Sequence, residues 1–195
     1  KNIHKPSVYA GKQYNYKGEE KVDIREVAQE IANGKIVGWF QGKSESGHRA
    51  LGNRSILADP RNPEIKDIIN RTIKDREDFR PFAPSVLEDY YQDWFDTPEP
   101  SPYMSRIMRV KGNKVPGITH IDGTARIQTV NKKQNKKYYD LINEFYKITG
   151  VPMILNTSFN CQEPIVETPE EAINTFNNTQ MDLLVINDYI MRKVG

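Results

Sequence analysis

The sequence predicts an α/β fold built on a mixed sheet, from three observations. Amphipathic helical stretches alternate with short β-rich apolar runs. Several of the helices carry recognisable start and stop residues. The polar, glycine-punctuated stretches fall between these elements and not inside them. At 195 residues the chain is long enough to bury one substantial core without disulfide staples.

Taken in chain order, residues 1–20 scatter Tyr9, Tyr14 and Tyr16 among Lys, Asn and Gly with no helical or strand period. This reads as the remnant of an interdomain linker, with one folded domain over 21–195. Ile24, Val27, Ala28 and Ile31 share a helical face, and Gly34 stands where a helix should stop. Ile36 to Phe40 then reads as a buried strand. Asn62 followed by Pro63 opens a second helix that should bury Ile65, Ile68 and Ile69. Ser85–Leu87 and Met104–Val110 are strand candidates. A third helix places Leu141, Ile142, Phe145 and Ile148 on one face and ends at Gly150. Val151–Leu155 is a strand, and Thr168 with Glu171 three residues later forms a capping box for a fourth helix burying Ala172, Ile173 and Phe176. Leu183–Ile186 is the next strand. No internal repeat is present.

Composition narrows the function class. Hydrophobic residues make up 37% of the chain, mean hydropathy is negative, and no apolar run approaches the roughly 18 residues a membrane span needs. Lys and Arg exceed Asp and Glu by two, too small an excess for a general nucleic-acid footprint. The one basic run, Lys132, Lys133, Lys136 and Lys137, reads as a solvated loop or helix start. Residues 1–20 hold no apolar signal segment, and the single Cys161 suits a reducing compartment, so a cytoplasmic location is expected.

Four polar stretches concentrate the chemistry. Gly42 to Ser55 offers Lys43, Arg49 and Arg54 among three glycines, cations suited to phosphate or carboxylate. It is not a P-loop: Gly38 to Ser44 ends in Gly-Lys-Ser, but only three residues separate the glycines where four are required. Lys74 to Pro84 carries Lys74, Arg76 and Arg80 into a rigid Pro-aromatic segment; a salt-bridged surface is the competing reading. Thr119 to Gln128 sets His120, Asp122, Arg126 and Gln128 on alternate positions around an Asp-Gly turn, so a strand would point them to one side, either facing solvent or forming the wall of a polar pocket. Asn156-Thr157-Ser158-Phe159-Asn160 comes directly after a buried strand, where α/β proteins place ligands. The three histidines, at 4, 48 and 120, have no metal-ligand spacing, and Cys161 has no visible base partner and reads as an inert thiol. These residue types describe a phosphate-binding small-molecule site without a nucleophile, suited to adenylation by positioning and charge neutralisation.

In this order the four stretches resemble the C-terminal domain of the O-carbamoyltransferases of nodulation-factor modification and antibiotic tailoring. The matching segments are GHRALGNRSILADPR (47–61), KDREDFRPFAPSVL (74–87), ITHIDGTARIQTV (118–130) and VPMILNTSFN (151–160), followed by EPIVETPEEAI (163–173). The resemblance implies a YrdC-like fold, a twisted mixed sheet flanked by helices. It implies formation of carbamoyl adenylate from carbamoyl phosphate and ATP with release of pyrophosphate, Mg²⁺ arriving with ATP. It also implies an N-terminal Kae1-like domain of the same full-length chain, holding a metal of its own and transferring the carbamoyl group to an acceptor hydroxyl.

Carried onto this chain, the resemblance makes Lys74, Arg80 and Arg126 the cations that grip phosphates, with Arg49 and Arg76 as companions. His120 and Asp122 would orient the carbamoyl group or an arginine, and Asn156, Ser158 and Asn160 would hydrogen-bond carbamoyl or ribose groups. Two departures stand out: Ser46 and His48 replace the types expected there, and Cys161-Gln162-Glu163-Pro164 is one residue short and lacks a glycine. Three other readings remain: a threonylcarbamoyl-adenylate synthase of tRNA modification, a nucleotide-binding module inactive without its N-terminal half, and an assembly module without chemistry.

Overall fold

The structure, a computed structural model, describes residues 7–78 and 81–193. Ten strands form one sheet: β1 (Glu20–Lys21), β2 (Val37–Phe40), β3 (Arg54–Ala58), β4 (Ala83–Leu87), β5 (Phe95–Asp96), β6 (Arg106–Val110), β7 (Thr124–Val130), β8 (Met153–Ser158), β9 (Leu183–Ile186) and β10 (Tyr189–Arg192). Their order across the sheet is β1-β10-β9-β2-β3-β8-β4-β7-β6-β5. The pairs β2–β9 and β4–β7 run parallel and the others antiparallel, so the sheet is mixed, as the alternation of elements predicts.

The helices are α1 (Ile24–Ala32), α2 (Ile65–Ile69), α3 (Tyr91–Trp94), α4 (Lys136–Thr149) and α5 (Pro169–Asn177). Helices α1 and α4 pack on each other, α4 also against β8 and β4, and α5 against β2 and β9. Trp39, Phe40, Tyr138, Phe145 and Phe159 are fully enclosed between these layers, each contributing about 2 to 3 kcal/mol of burial. Thr168 caps α5 as read: its hydroxyl accepts from Glu171 N at 3.2 Å, while the Glu171 carboxylate accepts from that hydroxyl in place of the Thr168 backbone N–H of a full capping box.

Four local expectations change. Arg54 and Ser55, read as the end of the polar stretch Gly42 to Ser55, open a fully buried strand, Arg54–Ala58, between β2 and β8. These two polar residues masked the start of the strand. Helix α2 starts at Ile65, since the residues after Asn62 form a turn closed by Ile65 N on Asn62 O, with Asn62 Oδ1 accepting from Glu64 N. Ile148 is 42% exposed at the end of α4, off the buried stripe. Residues 8–16 are packed against the domain. Val8 O accepts from Ser46 N at 2.7 Å, Gln13 bridges Lys43, and Tyr14 and Tyr16 lie on the core.

Candidate functional site

The site is organised where β8 ends. Along this extended segment alternate side chains point to opposite sides. Phe159 goes into the core, fully buried, and its neighbours Ser158 and Asn160 face the turn that carries Lys74. Lys74 is 1% exposed, and its Nζ donates to Ser158 O at 2.7 Å, Ser158 Oγ at 3.2 Å and Asn160 Oδ1 at 2.7 Å. Three acceptors saturate an ammonium. Burial, reinforced by the nearby Arg76 charge, pushes the Lys74 pKa down to about 7.

That turn is made by a π-helical stretch, Asn70–Lys74, continuing α2, after which Asp75 takes a left-handed conformation with φ 50°. The buried Asn70 anchors the residues beyond it: its carbonyl takes Arg76 N, its Oδ1 takes Arg76 Nε, and its Nδ2 reaches Asp78 O. Arg76 is thereby presented outward, with Asp78 at 3.6 Å. The short loop after Asn160 is closed without a glycine, because the Glu163 carboxylate accepts from Cys161 N, Gln162 N and Thr175 Oγ1. Burial raises the Cys161 pKa, consistent with an inert thiol.

A second wall comes from the loop between β2 and β3. Glu45 Oε1 accepts the backbone N–H groups of Leu51 (2.9 Å), Asn53 (2.8 Å) and Arg54 (3.3 Å), folding the loop around one carboxylate oxygen. Gly52 sits at φ 103°, where an added Cβ would lie 2.2 Å from the Tyr138 ring. Arg54 turns inward over Phe40, and its guanidinium donates to the carbonyls of Gln41, Gly42 and Asn53. It is a structural pin. Arg49 and His48 are left exposed at the cavity.

The third wall is β7 and the turn before it. Residues 119–123 are not strand: His120 N donates to Thr124 O and Gly123 N to His120 O, closing a tight turn. The alternation read in the sequence therefore holds only within β7. Arg126 reaches the cavity and Gln128 goes inward, 2% exposed. Asp122 caps the turn through Thr124, whose side-chain hydroxyl and then backbone N–H hold the carboxyl below its usual range. His120 lines the cavity; burial lowers its pKa, Asp122 raises it and Arg126 lowers it.

These walls enclose a cavity of about 450 Å³. It collects six of the residues singled out in the sequence: Arg49, Arg76, His120, Arg126, Asn156 and Ser158. Lys74 and Asn160 stand directly behind Ser158, Asp122 stands outside on the turn, and Arg80 lies outside the described residues. Sequence reasoning did not assign Phe82, Met104 and Ile107, which supply an apolar side, nor Asp78 and Thr157. Phe82 comes from one segment and Met104 with Ile107 from another, so no sequence spacing joins all three. Among the described residues neither Arg49 nor Arg126 makes an ion pair, so the cavity presents cationic charge that an anion would neutralise. No group of three His, Cys, Asp or Glu side chains placed to hold a metal occurs among the described residues, and no described helix is long and apolar enough to cross a membrane.

The fold is that of a YrdC-like α/β domain, with a cavity lined by three arginines at the end of β8. Comparison with solved structures agrees on the fold. Full-length HypF in its phosphate- and nucleotide-bound form superposes with a TM-score of 0.61 at 20% identity, over 86% of this chain and 25% of that one. YciO of E. coli gives 0.52 at 12% identity, over 87% and 86%. The model of the carbamoyltransferase C-terminus family matches residues 28–193, and the chain belongs to that family. Nodulation protein NolO of Bradyrhizobium diazoefficiens is 52% identical over 170 residues, covering 84% of this chain and 31% of that protein. Nodulation protein NolNO of Sinorhizobium fredii is 50% identical over 173 residues, covering 85% and 25%. The chain thus spans under a third of the length of these curated relatives.

Proposed function

We propose that this domain forms carbamoyl adenylate from carbamoyl phosphate and MgATP, for transfer of the carbamoyl group to an acceptor hydroxyl by a Kae1-like N-terminal domain of a longer chain. The observation that carries the reading is the convergence of Arg49, Arg76 and Arg126 on one cavity at the end of β8. Nucleotidyl transfer needs positioning and charge neutralisation more than a nucleophile from the protein. The arginines would hold the triphosphate and offset charge on the departing pyrophosphate. Phe82, Met104 and Ile107 offer an apolar face for a nucleobase. The adenylate keeps the carbamoyl carbon but not the phosphoryl group of carbamoyl phosphate. Atoms therefore balance with one water consumed and both inorganic phosphate and pyrophosphate released.

Asn156 would read the carbamoyl group. Its Nδ2 is directed at Ala50 O, Ser85 Oγ and Gln128 Oε1, which rules out a flipped amide because two of these three are pure acceptors. Its Oδ1 is buried and has no partner among the described residues, so a carbamoyl N–H would reach it only after a small movement of the wall. Magnesium would enter on the phosphate oxygens of ATP, with Asp78 the one carboxylate among the described lining residues.

Pyrophosphate release by the purified chain, with MgATP and carbamoyl phosphate in one arm and MgATP, threonine and bicarbonate in another, tests the reading. Release with carbamoyl phosphate alone supports it. Release with threonine and bicarbonate alone replaces it by the tRNA-modification chemistry. Nucleotide binding with silence in both arms assigns turnover to the longer chain.

A further inference from the structure

Residues 8–14 lie along the loop that carries Arg49. Val8 O accepts from Ser46 N at 2.7 Å, Gly11 N donates to Ser44 O at 3.0 Å, and Ser44 N donates to Lys12 O at 3.3 Å. The contact is close enough that a Cβ on Gly11 would fall 1.9 Å from Ser44 Oγ. Asn187 Nδ2 donates to Tyr14 O at 3.0 Å and fastens the far end of the segment to the turn after β9.

One side chain of this strap reaches further in. The Tyr9 hydroxyl donates to Leu51 O at 2.7 Å, and the same carbonyl accepts Gln128 Nε2 at 2.9 Å. Gln128 Oε1 in turn accepts from Ser85 Oγ at 2.7 Å and Asn156 Nδ2 at 3.2 Å, and Asn156 Nδ2 also meets Ala50 O at 3.1 Å. A closed set of hydrogen bonds therefore links the strap, the β2–β3 loop, β4, β7 and β8. Tyr9 is its outermost donor. Since the Leu51 N–H is held by Glu45, the residue is tied at both its N–H and its carbonyl, and Arg49 lies two residues before it. Burial pushes the Tyr9 pKa up to about 12, so the phenol remains a donor throughout the physiological range.

We infer that Tyr9 is a positioning residue for the cavity: by holding the Leu51 carbonyl it sets the loop that presents His48 and Arg49 to the anionic ligand. Its effect on ligand binding rests on the cavity being the anion site proposed above, whereas its hold on the loop does not. A loop freed at Leu51 samples more conformations, and the cost of ordering it again is charged to ligand binding.

Tyr9→Phe keeps the ring and removes the donor, and Gly11→Ala lifts the strap by a separate route. Amide hydrogen exchange on the ligand-free chain reads the latch, and titration with inorganic pyrophosphate reads the site. Both variants should exchange the amides of Leu51, Asn53 and Arg54 at least fivefold faster while those of β9 are unchanged. Pyrophosphate affinity should fall about fivefold, with the denaturant midpoint of Tyr9→Phe close to that of the parent. Parental exchange at those three amides in Tyr9→Phe overturns the inference, whatever ligand the cavity takes. Faster exchange with undiminished affinity overturns the positioning role. A parent chain that shows no pyrophosphate binding counts against the anion site, and the exchange result still decides the latch.

Discussion

Lys74 Nζ and Asn160 Oδ1 lie 2.7 Å apart, joining the π-helical turn after α2 to the residue just beyond β8. Ser158 Oγ shares the same acceptor at 2.9 Å, and Asn160 Nδ2 is taken by Glu163 O at 2.8 Å. Two segments more than eighty residues apart in sequence are thus locked in one geometry behind the cavity wall.

This lysine should leave a signature in the pH dependence of stability. Its pKa falls from an ordinary 10.5 to about 7 on folding, so between those values the unfolded chain binds more protons than the folded one. Stability from this group therefore rises with pH across that window. Equilibrium unfolding at pH 7 and pH 9.5 should show the parent gaining about 3 kcal/mol relative to Lys74→Met over the interval. Parallel curves would mean the Lys74 charge is not suppressed by its surroundings.

On the proposed function, Arg126→Ala should cut pyrophosphate release by about 100-fold or more and leave the fold intact. The side chain is half-buried at the cavity, and among the described residues it makes no ion pair whose loss would destabilise the domain. Circular dichroism and the thermal midpoint should stay close to the parent. Near-parental turnover would displace the phosphate site from this cavity.

Glu45→Ala removes the acceptor of three backbone N–H groups in the β2–β3 loop. Water replaces part of the loss because the carboxylate is only partly buried, so a cost of about 1 to 2 kcal/mol in urea unfolding is expected. Glu45→Gln retains a carbonyl oxygen at the same position and should recover most of it.

Gly52→Ala combines two penalties. At φ 103° an L side chain is strained, and the new Cβ meets the buried Tyr138 ring at 2.2 Å. A loss of roughly 3 kcal/mol or more is expected, enough to lower soluble yield as well as the denaturation midpoint.

Locally encoded features are legible in the amino-acid order alone. The apolar faces of α1 and α5, that of α4 apart from Ile148, the strand Leu183–Ile186 and the Thr168 N-cap all arise from periodicity and short-range hydrogen bonding, and the structure contains them. The residue types of the site were legible for the same reason, since arginines and small amides cluster in polar stretches beside buried elements. Which of them face the ligand depends on long-range packing. Arg54 and Arg49 stand five residues apart in one motif, yet one is pinned under carbonyls of its own loop and the other is exposed at the cavity, because β3 is buried on both sides and its first side chain has no route to solvent. Asp122 and Arg126 share a parity in the sequence, but a turn ahead of β7 breaks the alternation and carries the carboxylate away. Lys74 is set behind Ser158 by a left-handed residue and a buried asparagine that no spacing rule announces. The apolar side of the cavity, Phe82, Met104 and Ile107, exists only once distant strands are laid together: a hydrophobic side chain records in sequence that it will be buried, and never against what.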